Sequence, residues 1–207
     1  MMRTRGMTLL ELMVALAVLS LMVSLALVGI QKPIDRQKEA AATREIWSTA
    51  LRARQLALST NQPVRFVRET NVVMPDGSRR TVVRWERLRC ANDWDNSTCP
   101  TPACVNTTCR ANSACCDEVG PDIVIPASMN ATAIHGMCYL PGMGRAVQPG
   151  NLSCLQGSPA AGNLRFDFTS GRKRSLLMVE PLTGIPNLLD CDSKLADQRP
   201  VAECTAP

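Results

Sequence analysis

The sequence predicts an α+β fold: a long amino-terminal helix, part apolar and part amphipathic, packed on an antiparallel β-sheet that carries a disulfide-rich loop insert. Three observations carry this reading. Residues 12–30 form an uninterrupted run of nineteen uncharged positions. Residues 31–60 turn polar but keep apolar positions at helical spacing. Beyond Pro63 the pattern changes to that of short strands, with ten cysteines confined between Cys90 and Cys204.

The apolar run is broken only by Ser20, Ser24 and Gly29. As a helix it is about 28 Å long, close to the roughly 30 Å of a bilayer core. A basic leader with Arg3 and Arg5 precedes it, which places the amino terminus on the cytoplasmic side. Glu11 stands at the start of the run. A carboxylate there costs on the order of 2 kcal/mol and marks a functional position. The uncharged residues that follow supply no counter-charge, so the expected partner is another copy of the same kind of segment. An ordinary secretory signal has a shorter apolar core and a small-residue cleavage site. A plain signal anchor leaves Glu11 unexplained, and a lipoprotein signal is excluded because no cysteine precedes Cys90.

The string Arg5-Gly6-Met7-Thr8-Leu9-Leu10-Glu11-Leu12-Met13-Val14 closely resembles the class III signal of type IV pilins and type II secretion pseudopilins. That resemblance implies several expectations. A prepilin peptidase cuts between Gly6 and Met7 and methylates the new amine of Met7, and Glu11 serves assembly. The partners are then other pilins or pseudopilins, met through the amino-terminal helix, besides the peptidase and the inner membrane. The chain divides accordingly into a leader (1–6), a transmembrane or filament-core helix (7–30), an amphipathic spine (31–60) and a periplasmic β-rich domain (61–207) with a Cys-rich insert (90–121). The implied function is a minor pilin or pseudopilin that primes or caps a type IV pilus or a secretion pseudopilus.

Within the spine, Ile46, Ala50, Ala53 and Ala57 fall at i, i+4, i+7 and i+11, flanked by Trp47, Leu51 and Leu58. This is one apolar face at helical period, read as core packing. Pro33 is expected to kink or locally open the helix. Asn61 can cap its carboxyl end, and Pro63 forbids continuation. The stretch from Ala53 to Val67 resembles the helix end and first strand of minor pilins of the GspH/FimT type, whose helix closes with a polar turn and Pro-Val.

Residues 63–74 and 79–89 flank Pro75-Asp76-Gly77-Ser78, a hairpin turn in which Pro presets φ and Gly accepts positive φ. Val83 and Trp85 point one way, and Arg84 and Glu86 the other. Residues 122–126 and 133–140 are short strand candidates. Residues 163–168 and 173–180 read as a second hairpin, with Leu164, Phe166 and Phe168 alternating inward; it resembles a hairpin of the same minor pilins.

The insert holds Cys90, Cys99, Cys104, Cys109, Cys115 and Cys116 among polar residues with few aliphatics, and reads as an exposed, stapled loop. Cys138, Cys154, Cys191 and Cys204 follow, the last two placed to tie down the tail. An even count in an exported domain reads as a disulfide framework of undetermined connectivity. Zinc is disfavoured by the irregular spacings and by the presence of one histidine, His135. The four Asn-x-Ser/Thr triplets are read as chance.

The 207 residues carry a net charge of +5, falling to about +3 once Arg3 and Arg5 leave with the leader. That balance is too mild to argue nucleic-acid binding. No nucleophile–base pair, phosphate loop or metal motif is present, and neither an enzyme nor a cofactor is expected. One alternative is local. Gly171-Arg172-Lys173-Arg174 puts three cations on a hairpin tip, and it resembles the GRxR element of DNA-capturing pilins of the FimT type. On that reading Arg172, Lys173 and Arg174 bind DNA; an adhesive tip, or a pseudopilin that touches secreted cargo, completes the set.

Overall fold

The computed structural model describes residues 9–90, 101–148, 152–154, 163–170, 173–191 and 204, without the side chains of 23–33, 170, 173, 174 and 190. It divides into two compact units, Met1–Lys38 and Glu39–Pro207. One helix, α1 (Leu9–Thr60), supplies residues to both. It is α-helical on both sides of Pro33. One interior proline deletes a single backbone donor, and the helical bonds on either side can hold the segment together.

In the first unit the described side chains 9–22 are all exposed, among them Leu9, Leu10, Met13 and Met22. Among the described residues no helix is long and apolar enough to cross a membrane. The far half of the apolar run, beyond Met22, has no described side chains.

In the second unit α1 buries one stripe. Ala42, Ile46, Ala50, Ala53 and Ala57 are all buried, at the spacing the sequence predicts. Four of the five are alanine, so the backbone of α1 can approach the strands closely. Trp47 and Leu56 flank the stripe, half-buried against the same core. Trp47 Nε1 donates to the Pro186 carbonyl (3.0 Å) and Arg54 Nε to the Thr183 carbonyl (2.5 Å). The helix ends at Thr60, and Asn61 takes φ +51°, a left-handed conformation common just past a helix carboxyl end.

Among the described residues ten strands follow: β1 (Val64–Val73), β2 (Arg79–Leu88), β3 (Cys116–Val119), β4 (Ile123–Ile125), β5 (Met129–Asn130), β6 (Cys138–Tyr139), β7 (Ala146–Val147), β8 (Leu164–Ser170), β9 (Lys173–Val179) and β10 (Pro186–Asp190). They form a six-stranded sheet in the order β3-β2-β1-β6-β7, with β4 also on β2, and a four-stranded sheet in the order β10-β9-β8-β5. Every pairing is antiparallel. In β1/β2 the register runs from Val64↔Arg87 to Val73↔Arg79, with a bulge between Glu69 and Val72 where Asn71 has φ +59°.

The main core joins the α1 stripe to Phe66, Val83, Trp85, Ile123, Tyr139, Phe166, Phe168 and Leu177. Both hairpins therefore turn the predicted faces inward. Two expectations fail. Residues 133–140 do not form one strand: a 3-10 turn (Thr132–Ile134) and Gly136, at φ +82°, leave only Cys138–Tyr139 extended. The second difference is the Cys-rich insert. Its described cysteines are not an exposed loop but a second core, where Cys90, Cys104, Cys109, Cys115 and Cys116 pack with Leu88, Cys138, Val147 and Cys154.

Candidate functional site

Two regions bear on function, and they are built differently. The first is the start of α1. Glu11 lies in α1, exposed to solvent. Gly6 and Met7 fall outside the described residues.

The second region is the face of β1/β2 opposite the main core. Arg65 and Glu86 are direct cross-strand partners in the hairpin register, and both are completely buried. Arg65 Nε and Nη2 donate to Glu86 Oε2 at 3.0 and 2.8 Å. The remaining donors of the guanidinium reach the loops. Nη1 bonds the carbonyls of Cys104 (3.2 Å) and Leu152 (2.7 Å), and Nη2 bonds that of Thr107 (2.5 Å). All five N–H donors of the group are thereby used. The other carboxylate oxygen, Glu86 Oε1, accepts from Arg84 Nη2 (2.8 Å) and from the backbone N–H of Cys109 (2.9 Å).

The pair extends outward. Arg84 Nη1 is 3.1 Å from Glu69 and 3.6 Å from Asp122, while Arg110 bridges the same two acids at 2.7 Å each. Three arginines thus alternate with three carboxylates. Burial pulls the Arg65 guanidinium below its ordinary pKa, and the adjacent Glu86 charge opposes that. At Glu69 desolvation pushes upward, but hydrogen bonds from Thr108 and Arg110, with the Arg84 charge, hold the carboxyl below the usual range. A neutral, hydrogen-bonded network of this kind covers a charged face that a loop alone could not bury.

Cys104 and Cys109 meet this network through their backbone. Cys104 pairs with Cys115, Cys109 with Cys116, Cys138 with Cys154 and Cys191 with Cys204, with Cα atoms 5.5 to 5.9 Å apart. Cys90 is also disulfide-bonded, and Cys99 lies outside the described residues. The oxygen of Glu86 and the sulfurs of Cys109 and Cys116 come within 4.8 Å of one another. They do not make a metal site, since the two sulfurs share a disulfide and the carboxylate is committed to two arginines and an amide.

His135 caps the open side of β1: its Nδ1 accepts the Arg68 backbone N–H at 3.0 Å. Although the residue is exposed by surface area, this ring face is partly desolvated. Desolvation, with the Arg68 and Arg65 charges, pushes the imidazole below its ordinary pKa. Beside it, Arg68, Glu69, Thr70, Asn71, Val73 and Arg110 line a shallow, open groove of about 610 Å³. Of the proposed cationic tip, Arg172 lies outside the described residues. Lys173 and Arg174 open β9 opposite Ser170 and Thr169, their side chains undescribed. Sequence reasoning missed the ionic network. Its one signal was Arg65, Arg84 and Glu86 at positions facing away from Val83 and Trp85.

Comparison with known proteins places one landmark. Residues 1–27 match the family described as the prokaryotic N-terminal methylation motif. No curated protein and no solved structure matches the chain.

Proposed function

We infer that this chain, type IV pilin-like by the methylation motif over residues 1–27, is a minor pilin or pseudopilin that primes or caps a filament. The motif implies processing by a prepilin peptidase and assembly with other pilins. The finer reading assigns the cut to the Gly6–Met7 bond, methylation to Met7 and an assembly role to Glu11. The observation that carries it is the motif itself, with Glu11 on the exposed part of α1.

In this mechanism the leader cut frees a positive amine at Met7. As a subunit leaves the membrane, the Glu11 carboxylate of one copy receives the amine of its neighbour within an apolar core. A buried pair of this sort adds little net stability, but it fixes the register in which helices pack. The disulfide-bonded unit belongs on the oxidising side of the inner membrane, consistent with its four described bridges. A GspH/FimT-type subunit is supported by the Asn61 cap before Pro63-Val64 and by the β8/β9 hairpin. The subunit is non-catalytic on this reading, because the charged groups of the buried network are consumed by one another.

Amino-terminal sequencing of the mature protein tests the assignment directly and should find methylated Met7; any other start defeats it. Glu11→Val should still insert and be cleaved, yet enter filaments at least about tenfold less, since its removal leaves a buried amine without a counter-charge. Normal incorporation would remove Glu11 from the mechanism.

A further inference from the structure

The four cysteines of the crossed bridges share a property that their spacing does not show. Each has a backbone atom held by a residue of the β1/β2 hairpin or of its immediate continuation. Arg65 Nη1 donates to the Cys104 carbonyl at 3.2 Å. The Cys109 N–H donates to Glu86 Oε1 at 2.9 Å. The Arg89 N–H donates to the Cys115 carbonyl at 2.9 Å, and Arg89 Nη2 to that of Cys116 at 3.2 Å. Leu88 and Cys116 are also in strand register.

We propose that the cross-strand pair Arg65–Glu86, with Arg89, is a template that selects the crossed pairing Cys104–Cys115 and Cys109–Cys116 when the chain is oxidised. Four cysteines allow three pairings. Adjacent Cys115 and Cys116 disfavour a bond to each other, which leaves the crossed arrangement against a nested one, Cys104–Cys116 with Cys109–Cys115. The two differ by a single residue in loop length, so loop-closure entropy hardly separates them. Something fixed must.

The hairpin can be that fixed part because its strands are close neighbours along the chain. Arg65 faces Glu86 across adjacent strands joined by the short turn after Met74. A hairpin forms in about 1–10 μs, whereas disulfides form over seconds to hours. Once Glu86 occupies Nε and one Nη2 hydrogen, the fork still presents three donors, and Glu86 Oε1 presents an acceptor. Burying them unsatisfied is costly, so the loop is drawn down in the register that pairs them. That register brings Cys109 Sγ to 3.8 Å from Arg65 Nη2 and within bonding reach of Cys116, with Cys104 beside Cys115. The same fork holds Leu152, two residues before Cys154, so it also steadies the Cys138–Cys154 bridge.

The test reduces the full chain in detergent, reoxidises it in a glutathione buffer and maps the bonds among these four cysteines by mass spectrometry. Wild type should return mostly the crossed pair. Arg65→Met and Glu86→Gln should lower it until the nested pairing Cys104–Cys116 with Cys109–Cys115 is about as abundant as the crossed one. Val83→Ala, which loosens the same hairpin from its other face, should keep wild-type pairing among the molecules that refold. Wild-type yields in both charge variants, or equal scrambling in Val83→Ala, would overturn the template. If the charge variants do not accumulate, amide exchange on the reduced wild-type chain decides. The Cys109 N–H should be protected before any bridge forms, and exchange at the rate of an open loop would refute the proposal.

Discussion

Glu86 illustrates how a residue's cost depends on what has been built around it. Its carboxylate is completely buried between Arg65 and Arg84 and also receives the Cys109 amide. Glu86→Gln removes the charge but keeps the shape, leaving the buried Arg65 guanidinium without its counter-ion, while Arg84 keeps Glu69 and Asp122. We expect a loss of about 3–5 kcal/mol in denaturant unfolding under oxidising conditions. Arg80 pairs with Asp76 at the same 2.8 Å, but both side chains are about half exposed. Arg80→Gln should change stability by less than about 1 kcal/mol. The sequence showed that Arg84 and Glu86 alternate with core residues. It could not show that the face they occupy is closed by a segment some twenty residues further on.

At the scale of elements, α1 was the most legible. Its buried stripe in the second unit is the one the period predicts, because helical spacing is a local property of the chain. Ala53 sits in that stripe with no exposed surface. Ala53→Leu must push a much larger side chain toward the strands, and should cost about 1–3 kcal/mol in thermal or denaturant unfolding. Arg52→Leu, one position earlier and exposed, should stay within about 0.5 kcal/mol. The two hairpins were equally readable, since turn residues and period-2 alternation lie within a few positions of each other. Residues 133–140 were misread as one strand because an aliphatic run looks extended until Gly136 turns it at φ +82°. The short strands β6 and β7 exist only through pairing with β1 and with each other, which no local pattern announces.

Across the whole molecule, protonation acts through the same contacts. His135 has a folded pKa below its ordinary value, so the native state favours the neutral ring that accepts the Arg68 N–H. Its contribution is therefore full above about pH 6.5 and is lost as the pH falls below that. Glu69 and Asp117 are likewise depressed, Asp117 chiefly by its hydrogen bond from Arg89 and then by that from Gln62. Their stabilisation is present above the unfolded carboxylate range, near about pH 4, and disappears on acidification through it. Unfolding midpoints of the oxidised protein should fall in two stages between about pH 7 and about pH 3. His135→Asn, whose side-chain oxygen can accept the same N–H, should abolish the upper stage and leave the lower. A single stage in the wild type would show that His135 is not coupled to folding.

What the chain determined by itself was everything written within a turn or two of helix or a pair of neighbouring strands: the methylation motif, the alanine stripe and the hairpin faces. Tertiary structure alone decided which cysteine meets which, and that the second face of β1/β2 is a core. Those outcomes depend on contacts between residues such as Arg65 and Leu152, distant along the chain, whose pairing follows from satisfying buried charge and hydrogen bonds together.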